Sequence, residues 1–320
     1  MIEGSNDLHD ADGGLPADVA DALARARHRF GRLGGRVLYF STLGSTNDVA
    51  ATFADAPHAE GLVIVADRQT AGRGRLGRTW FSPSGSGLYV SVVLEPGRAR
   101  AEHQRATRLL TLAAGVALAE AVEAVSGLRV DLKWPNDLYV ERRKLGGILA
   151  EVVKVTGAGI SAQGDAVGES VLETRRQGAL GFGESESARE ARVDGTPREV
   201  TNVVLGYGIN VAPAAYPREF ADRATSLESE LGRSVDRDQL LVETLAALAR
   251  RYDDLLDARY DVILDAWRRR APASVGGHVR WSTATGSRSG VTSGIDDFGA
   301  LLVRVGAQIE RIVAGELSWL

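Results

Sequence analysis

The stretch that most restricts how this chain can fold is Ala66-Asp-Arg-Gln-Thr-Ala-Gly-Arg-Gly-Arg-Leu-Gly-Arg-Thr-Trp80, where an apolar strand end runs into a loop of glycines and arginines. Gly72, Gly74 and Gly77 allow positive φ and close backbone approach, while Arg73, Arg75 and Arg78 supply fixed positive charge. Such a loop suits an anion. Its letters also satisfy the dinucleotide fingerprint G-x-G-x-x-G, with an apolar run Gly61–Ala66 before it and Glu95 at a suitable distance after it. A dinucleotide loop, however, opens a helix whose N-terminus holds the pyrophosphate. Here Arg78-Thr-Trp-Phe-Ser-Pro-Ser-Gly-Ser-Gly87 puts Pro83 and two glycines where that helix belongs. Strand, loop and a second strand over Leu88–Leu94 is the expected order.

The chemistry is narrowed further by what the chain lacks and favours. With no cysteine, disulfides, thiolate nucleophiles and Cys-ligated metal centres are excluded. A net charge of -4 gives no general reason to expect a nucleic-acid partner. No apolar run suggests a membrane span and no basic-then-apolar start suggests a secretory leader, so a cytoplasmic chain without a membrane partner is expected. Of 38 basic residues only Lys133, Lys144 and Lys154 are lysine, so a lysine that persists is a candidate for a role that arginine cannot fill.

The N-terminal tail and a short helix from Pro16 to Phe30 occupy residues 1–34, which leaves no room for a winged-helix module of about 60 residues that would read DNA. A strand follows over Arg36–Phe40. Ser45, Thr46 and Asn47 then suit the N-cap of a helix through Ala54, a position that also presents free N–H groups and hydroxyls to polar ligands. Apolar positions at Leu109, Leu112, Ala113, Val116 and Ala117 mark an amphipathic helix over Ala101–Val125.

Next, Leu128–Val140 reads as a strand broken by Trp134-Pro-Asn-Asp137, where Pro135 removes a ladder donor and turns Asn136 and Asp137 out of the sheet. By itself Pro-Asn-Asp is also an ordinary hairpin turn. A strand beginning at Lys144 carries Gly146 and Gly147, which mark either a bulge or a close approach. Residues 156–198 are rich in Gly, Ser, Glu and Arg and are expected to form a mobile surface insertion. An apolar strand over Val200–Val211 and two covering helices between Arg233 and Arg268 complete the larger domain, residues 35–271. From Pro272 the period switches to two. Short strands at 279–281, 287–295, 301–305 and 309–313 predict a small barrel-like β domain over 272–320.

Five motifs in this order carry a resemblance: Ser45-Thr-Asn47; Gln69 through Gly-Arg-Gly-Arg-Leu-Gly-Arg to Trp80; Lys133-Trp-Pro-Asn-Asp137; Arg143-Lys-Leu-Gly-Gly-Ile-Leu149; and Gly206-Tyr-Gly-Ile-Asn210. Together they resemble the biotin protein ligases, over about 35–154 and 200–320. The resemblance implies an α+β fold with a class II synthetase-like core, a mixed sheet covered by helices, ending in a small SH3-like β-barrel. It implies a two-step reaction: biotin and ATP, with Mg2+, form biotinyl-5′-AMP and pyrophosphate, and a lysine of a biotin carboxyl carrier protein domain then attacks the mixed anhydride. Without the DNA-reading module the chain is expected to be a ligase without repressor activity, and a monomer or weak homodimer.

Carried over residue by residue, the resemblance places Ser45, Thr46, Asn47 and Gln69 on biotin, with the ureido ring read by Ser45, Thr46 and Gln69. The backbone from Arg73 through Gly74 to Arg75 closes over it. Lys144 is implied on the carboxylate and then the α-phosphate, and with Arg75 it forms the catalytic pair. Arg75 and Arg78 lie over the phosphates, Trp80 near the adenine, and Asn136 and Asn210 on the nucleotide, with Gly147, Gly206 and Ile209 lining the wall. Asp137 is the candidate Mg2+ ligand. The loop from Arg73 to Trp80 is expected to order over the adenylate. Lipoate or octanoate ligases and transferases share the implied core and its lysine, and are the alternative. Their acyl pocket needs no polar ring reader such as Gln69.

Overall fold

The computed structural model describes residues 14–154, 201–216, 222–283, 286–315 and 317–320. The expected insertion at 156–198 lies outside them. Seven strands form a mixed sheet: β1 (Arg36–Leu43), β2 (Leu62–Gln69), β3 (Gly87–Leu94), β4 (Asp131–Lys133), β5 (Asp137–Val140), β6 (Arg143–Lys154) and β7 (Thr201–Asn210), in the order β1-β2-β3-β7-β6-β5-β4. Only β1 and β2 are parallel, with Arg36 opposite Leu62. The remaining neighbours are antiparallel, and Lys154 pairs with Thr201.

Central strands are apolar on both sides because both faces are covered, which is why β2 and β3 read as continuous runs rather than alternating ones. Val63 and Val65 face the large core, whereas Leu62, Ile64 and Ala66 face a smaller cluster under α2 (Thr46–Phe53) with Val49, Ala50 and Phe53. Over the other face lie α1 (Ala17–Ala26), α3 (His103–Ser126), α5 (Arg237–Leu256) and α6 (Tyr260–Arg270), while α4 (Leu227–Leu231) is a single short turn. Helix α3 is long and apolar enough to cross a membrane, against the expectation of no such run. It is instead the buried centre of the layer, packed on α5 and α6, with Leu109, Val116, Ala117 and Leu118 wholly enclosed.

The C-terminal strands are β8 (Val275–Thr283), β9 (Gly286–Ile295), β10 (Leu301–Val305), β11 (Gln308–Ile312) and β12 (Leu317–Trp319), in the antiparallel order β11-β10-β9-β8-β12. The sequence pattern yields four of these. The fifth, β12, is three residues long and is held by its pairing with β8 rather than by any period of its own.

Candidate active site

The Gly/Arg run joins two neighbouring antiparallel strands, β2 and β3, as the proline and glycines after Arg78 require, and a single turn at Arg75–Gly77 replaces the helix of a dinucleotide fold. Its glycines divide their work. Only Gly77 takes a positive φ, next to Leu76, which also adopts the left-handed region. At Gly72 the reason is space, since a Cβ would stand 2.5 Å from the carbonyl of Trp80. The loop thus folds back on itself, Trp80 N–H donating to the Gly72 carbonyl at 2.8 Å.

Beneath it lies a cleft of about 1030 Å³. Ser45, Thr46, Asn47, Gln69, Arg73, Gly74, Arg75, Arg78, Trp80, Asn136, Asp137, Lys144, Gly147, Gly206 and Asn210 all line it, so five distant segments converge. Ile209 does not. Side chains alternate along β7, so Gly206, Gly208 and Asn210 face the cleft while Ile209 is enclosed in the large core on the opposite side. The glycines on that face make room: a Cβ on Gly206 would overlap the amide of Asn47, and one on Gly208 would overlap the indole of Trp80.

At one end the start of α2 meets the end of β2. Ser45 occupies the N-cap with extended backbone but its hydroxyl makes no capping bond. The cap comes from a distance instead, as Thr46 N–H donates to Gln69 Oε1 at 2.8 Å and the Thr46 hydroxyl to the same oxygen at 3.1 Å. That fixes the Gln69 amide, whose Nε2 donates to Ser82 at 2.9 Å. Ser91, wholly buried, bonds the Asn47 carbonyl oxygen at 2.6 Å and lies 2.8 Å from the Thr46 hydroxyl.

At the other end, the break in β4–β5 is a turn with a cis Trp134–Pro135 bond, docked on β6 by Asn136 Nδ2 to the Ile148 carbonyl (2.8 Å) and Ile148 N–H to the Asn136 carbonyl (2.9 Å). Asp137 Oδ1 is 2.7 Å from Lys144 Nζ and, among the described residues, makes no hydrogen bond beyond that ion pair. Lys144 is pinned at its backbone by the 223–225 segment, and its ammonium lies 5.4 Å from the Trp80 ring centroid. Arg75 Nη1 donates to Asn136 Oδ1 at 3.2 Å, and burial lowers the Arg75 pKa despite the pull of Asp137. Two cations from separate elements therefore face one polar turn. The buried indole N–H of Trp80 has no partner among the described residues, and neither has the hydroxyl of Tyr216, both on the wall.

Arg73 departs from its expected use as charge for an anion. Its guanidinium is held by both oxygens of Glu151, at 3.0 and 2.7 Å, and by Asp48 at 2.7 Å, so two carboxylates absorb its charge. Several lining residues are given no role by the motifs. Lys133 donates to the Tyr139 hydroxyl at 3.2 Å, and its ammonium sits 4.7 Å from the Tyr139 ring and 5.6 Å from that of Trp319. Burial lowers the Lys133 pKa and pushes that of Tyr139 up to about 12. The rarity of lysine already pointed at Lys133, whereas Tyr216, Arg223 and Trp319 carry no sequence signal.

Asp137 is the one carboxylate on the described wall, and no group of three His, Asp or Glu able to cage a cation occurs among the described residues. A divalent cation here fits only as a ligand shared between Asp137 and oxygens brought by the substrate.

Comparisons with known proteins agree with this geometry. The Biotin/lipoate A/B protein ligase family matches residues 39–164. The chain is 31% identical over 302 residues to the bifunctional ligase/repressor BirA of Bacillus subtilis, covering 92% of this chain and 79% of that one. It is 30% identical over 279 residues to the biotin acetyl-CoA-carboxylase ligase of Mycobacterium tuberculosis, with 86% and 85% covered. Among solved structures it is similar to the biotin protein ligase of Aquifex aeolicus in complex with biotin and ATP, with a TM-score of 0.65 and 25% identity, over 89% of this chain and 99% of that one. Matches of this extent make the chain a member of the biotin protein ligase family.

Proposed function

We propose that this enzyme activates biotin with MgATP to biotinyl-5′-AMP and transfers the biotinyl group to a lysine of a biotin carboxyl carrier domain. The observation that carries this reading is the shared cleft: the Thr46–Gln69 cluster at one end, Lys144 and Arg75 at the other, and the Gly/Arg loop above both. Family membership favours it over lipoate chemistry, and so does Gln69, a polar reader that a plain acyl chain would not need.

In the first step a carboxylate oxygen attacks the α-phosphorus and pyrophosphate leaves. Two anions must touch, so the barrier is largely electrostatic. Lys144 binds the carboxylate and then the α-phosphate oxygens as a compact charge, and Arg75 and Arg78 neutralise the phosphates. Mg2+, when bound, shields the phosphate charge, with Asp137 as the protein residue that would hold it. Ser45, Thr46 and Gln69 hold the ureido ring, with Asn47 also on biotin, Trp80, Asn136 and Asn210 hold the nucleotide, and Gly147 and Gly206 line the wall. Hydrogen bonds to that ring discriminate strongly, because an analogue lacking them strands buried polar groups. In the second step the acceptor amine attacks the carbonyl carbon, AMP leaves, and an amide forms. The loop shields the anhydride from water until then.

We assign residues 35–271 to the catalytic domain, with a class II synthetase-like core, and 272–320 to a C-terminal domain of SH3-like type. The five-stranded antiparallel order supports the latter. Dependence on ATP and a carboxylase carrier supports a cytoplasmic setting. Pyrophosphate exchange run with biotin against lipoate tests the reading: exchange with biotin alone is expected, and exchange with lipoate alone overturns it. Transfer of labelled biotin to a purified carrier domain tests the second step.

A further inference from the structure

Glu151 belongs to none of the five motifs, yet it touches two parts of the site at once. It lies on β6 on the same face as Gly147 and Leu149, both of which line the cleft. Its carboxylate takes both guanidinium nitrogens of Arg73 from the loop and, on Oε2, the amide of Asn47 from α2 at 2.7 Å. We infer that Glu151 is a positioning residue for this reaction, acting through Arg73 and Asn47 to hold the Gly/Arg loop against the ring-binding cluster. The inference rests on the biotin-activating function proposed above.

Donor and acceptor chemistry gives the arrangement a direction. A carboxylate only accepts, so Glu151 compels Asn47 to present its NH2, which leaves the Asn47 carbonyl oxygen facing Ser91. Ser91 must then donate its one proton to Asn47, and its oxygen lies 2.8 Å from the Thr46 hydroxyl. Thr46 N–H meets Gln69 Oε1, Gln69 Nε2 donates to Ser82, and the Ser82 hydroxyl donates to the Trp80 carbonyl at 3.0 Å. Arg73 and Trp80, the two ends of the loop's cover, are thereby joined through the residues assigned to the ureido ring. Glu151 sets the polarity at the Arg73 end.

The ion pair is also of a kind that can open. Side-chain exposures are 41% for Arg73, 34% for Glu151 and 59% for Asp48, so water screens the charges and a pair of this sort adds little to global stability. What it sets is the loop's preference for the closed position. Because Arg73 is neutralised by two carboxylates, its side chain serves as a latch rather than as charge for phosphate. Lys144 and Arg75, which meet Asp137 and Asn136, are not partners of Glu151.

The test uses the purified full chain and two rates, single-turnover formation of biotinyl-5′-AMP and its release. Biotin-dependent adenylate formation by the unmodified protein is the control, and its absence refutes the function and the inference together. Given that activity, Glu151→Gln, which keeps the shape and removes the charge, is expected to release the intermediate about tenfold faster while adenylation stays within about twofold. An unchanged release rate overturns the inference. So does an equal loss in both rates with a lowered thermal midpoint, the mark of a merely structural role. Asp48→Asn removes one Arg73 contact at an exposed side chain and leaves Glu151 in place. It is expected to speed release by a smaller factor, and if Glu151→Gln does not fold, unchanged release in Asp48→Asn overturns the inference.

Discussion

The indole N–H of Trp134 donates to the carbonyl oxygen of Gly299 at 2.9 Å, joining the turn that carries Asn136 and Asp137 to the β9–β10 turn of the C-terminal sheet. Trp134 is buried, and Gly299 reaches it with a φ of +78° while standing so close to α3 that a Cβ would meet Leu112 at 2.8 Å and Leu109 at 3.0 Å. The C-terminal strands therefore brace a turn of the cleft wall from behind. At the front, Trp319 of β12 closes the cleft beside Lys133.

Trp134→Phe keeps the ring and strands the Gly299 carbonyl, so a loss of about 1–3 kcal/mol in stability is expected. Because the turn also holds Asn136 and Asp137, the KM for ATP should rise with it. Chemical denaturation together with exchange kinetics checks both, and a stable variant with ordinary kinetics would show the brace to be idle.

Lys144→Ala removes the ammonium that faces Asp137 and the Trp80 ring. Adenylation should fall by about 10²-fold or more, by analogy with other removed charge stabilisers, and Lys144→Arg should not restore it, since a planar fork differs from a point charge. Single-turnover adenylate formation is the measurement, and near-normal turnover would take Lys144 out of the mechanism.

Gly208→Ala tests the room made for Trp80. The added methyl would overlap the indole nitrogen, and the neighbour that must give way is a side chain rather than backbone. Binding of ATP should weaken by about tenfold while biotin binding is retained and the thermal midpoint moves little, because β7 pairs on both sides unchanged. Calorimetric titration with each ligand separates the two effects, and equal weakening of both would place Trp80 elsewhere in function.

Much of this was legible from the order of residues, because backbone chemistry is local. Pro83 with its neighbouring glycines forbids a helix after Arg78, and Pro135 turns the chain between β4 and β5, without reference to anything distant. What stayed hidden depends on which side chains meet across the fold. Arg73, Arg75 and Arg78 look alike in the sequence, and only the approach of Glu151 and Asp48 sets Arg73 apart. Ile209 sits inside a matching motif, yet alternation along β7 turns it into the core. Period two extended from Gly147 through Leu149 would have reached Glu151, but β12 and Trp319 offer no period long enough to read.

The turn at Asp296 predicts how acid acts on the brace. Burial raises the Asp296 pKa, but hydrogen bonds from Arg311 and from the backbone N–H groups of Ala300 and Phe298 outweigh it and hold the carboxyl below its ordinary range. A carboxyl depressed in the folded state takes up its proton less readily there than in the unfolded chain. Its contribution is therefore fully present above the unfolded pKa of about 4 and is lost as pH falls through the lower folded value. Asp296→Asn keeps an acceptor for the turn but cannot titrate. The unmodified protein should be the more stable of the two at pH 7, and its margin should shrink as pH is lowered from about 5 toward 3. Thermal midpoints of both proteins across that range decide it. Parallel curves would mean that the Asp296 charge does not hold the turn, and that the link from Gly299 to Trp134 survives acid by other means.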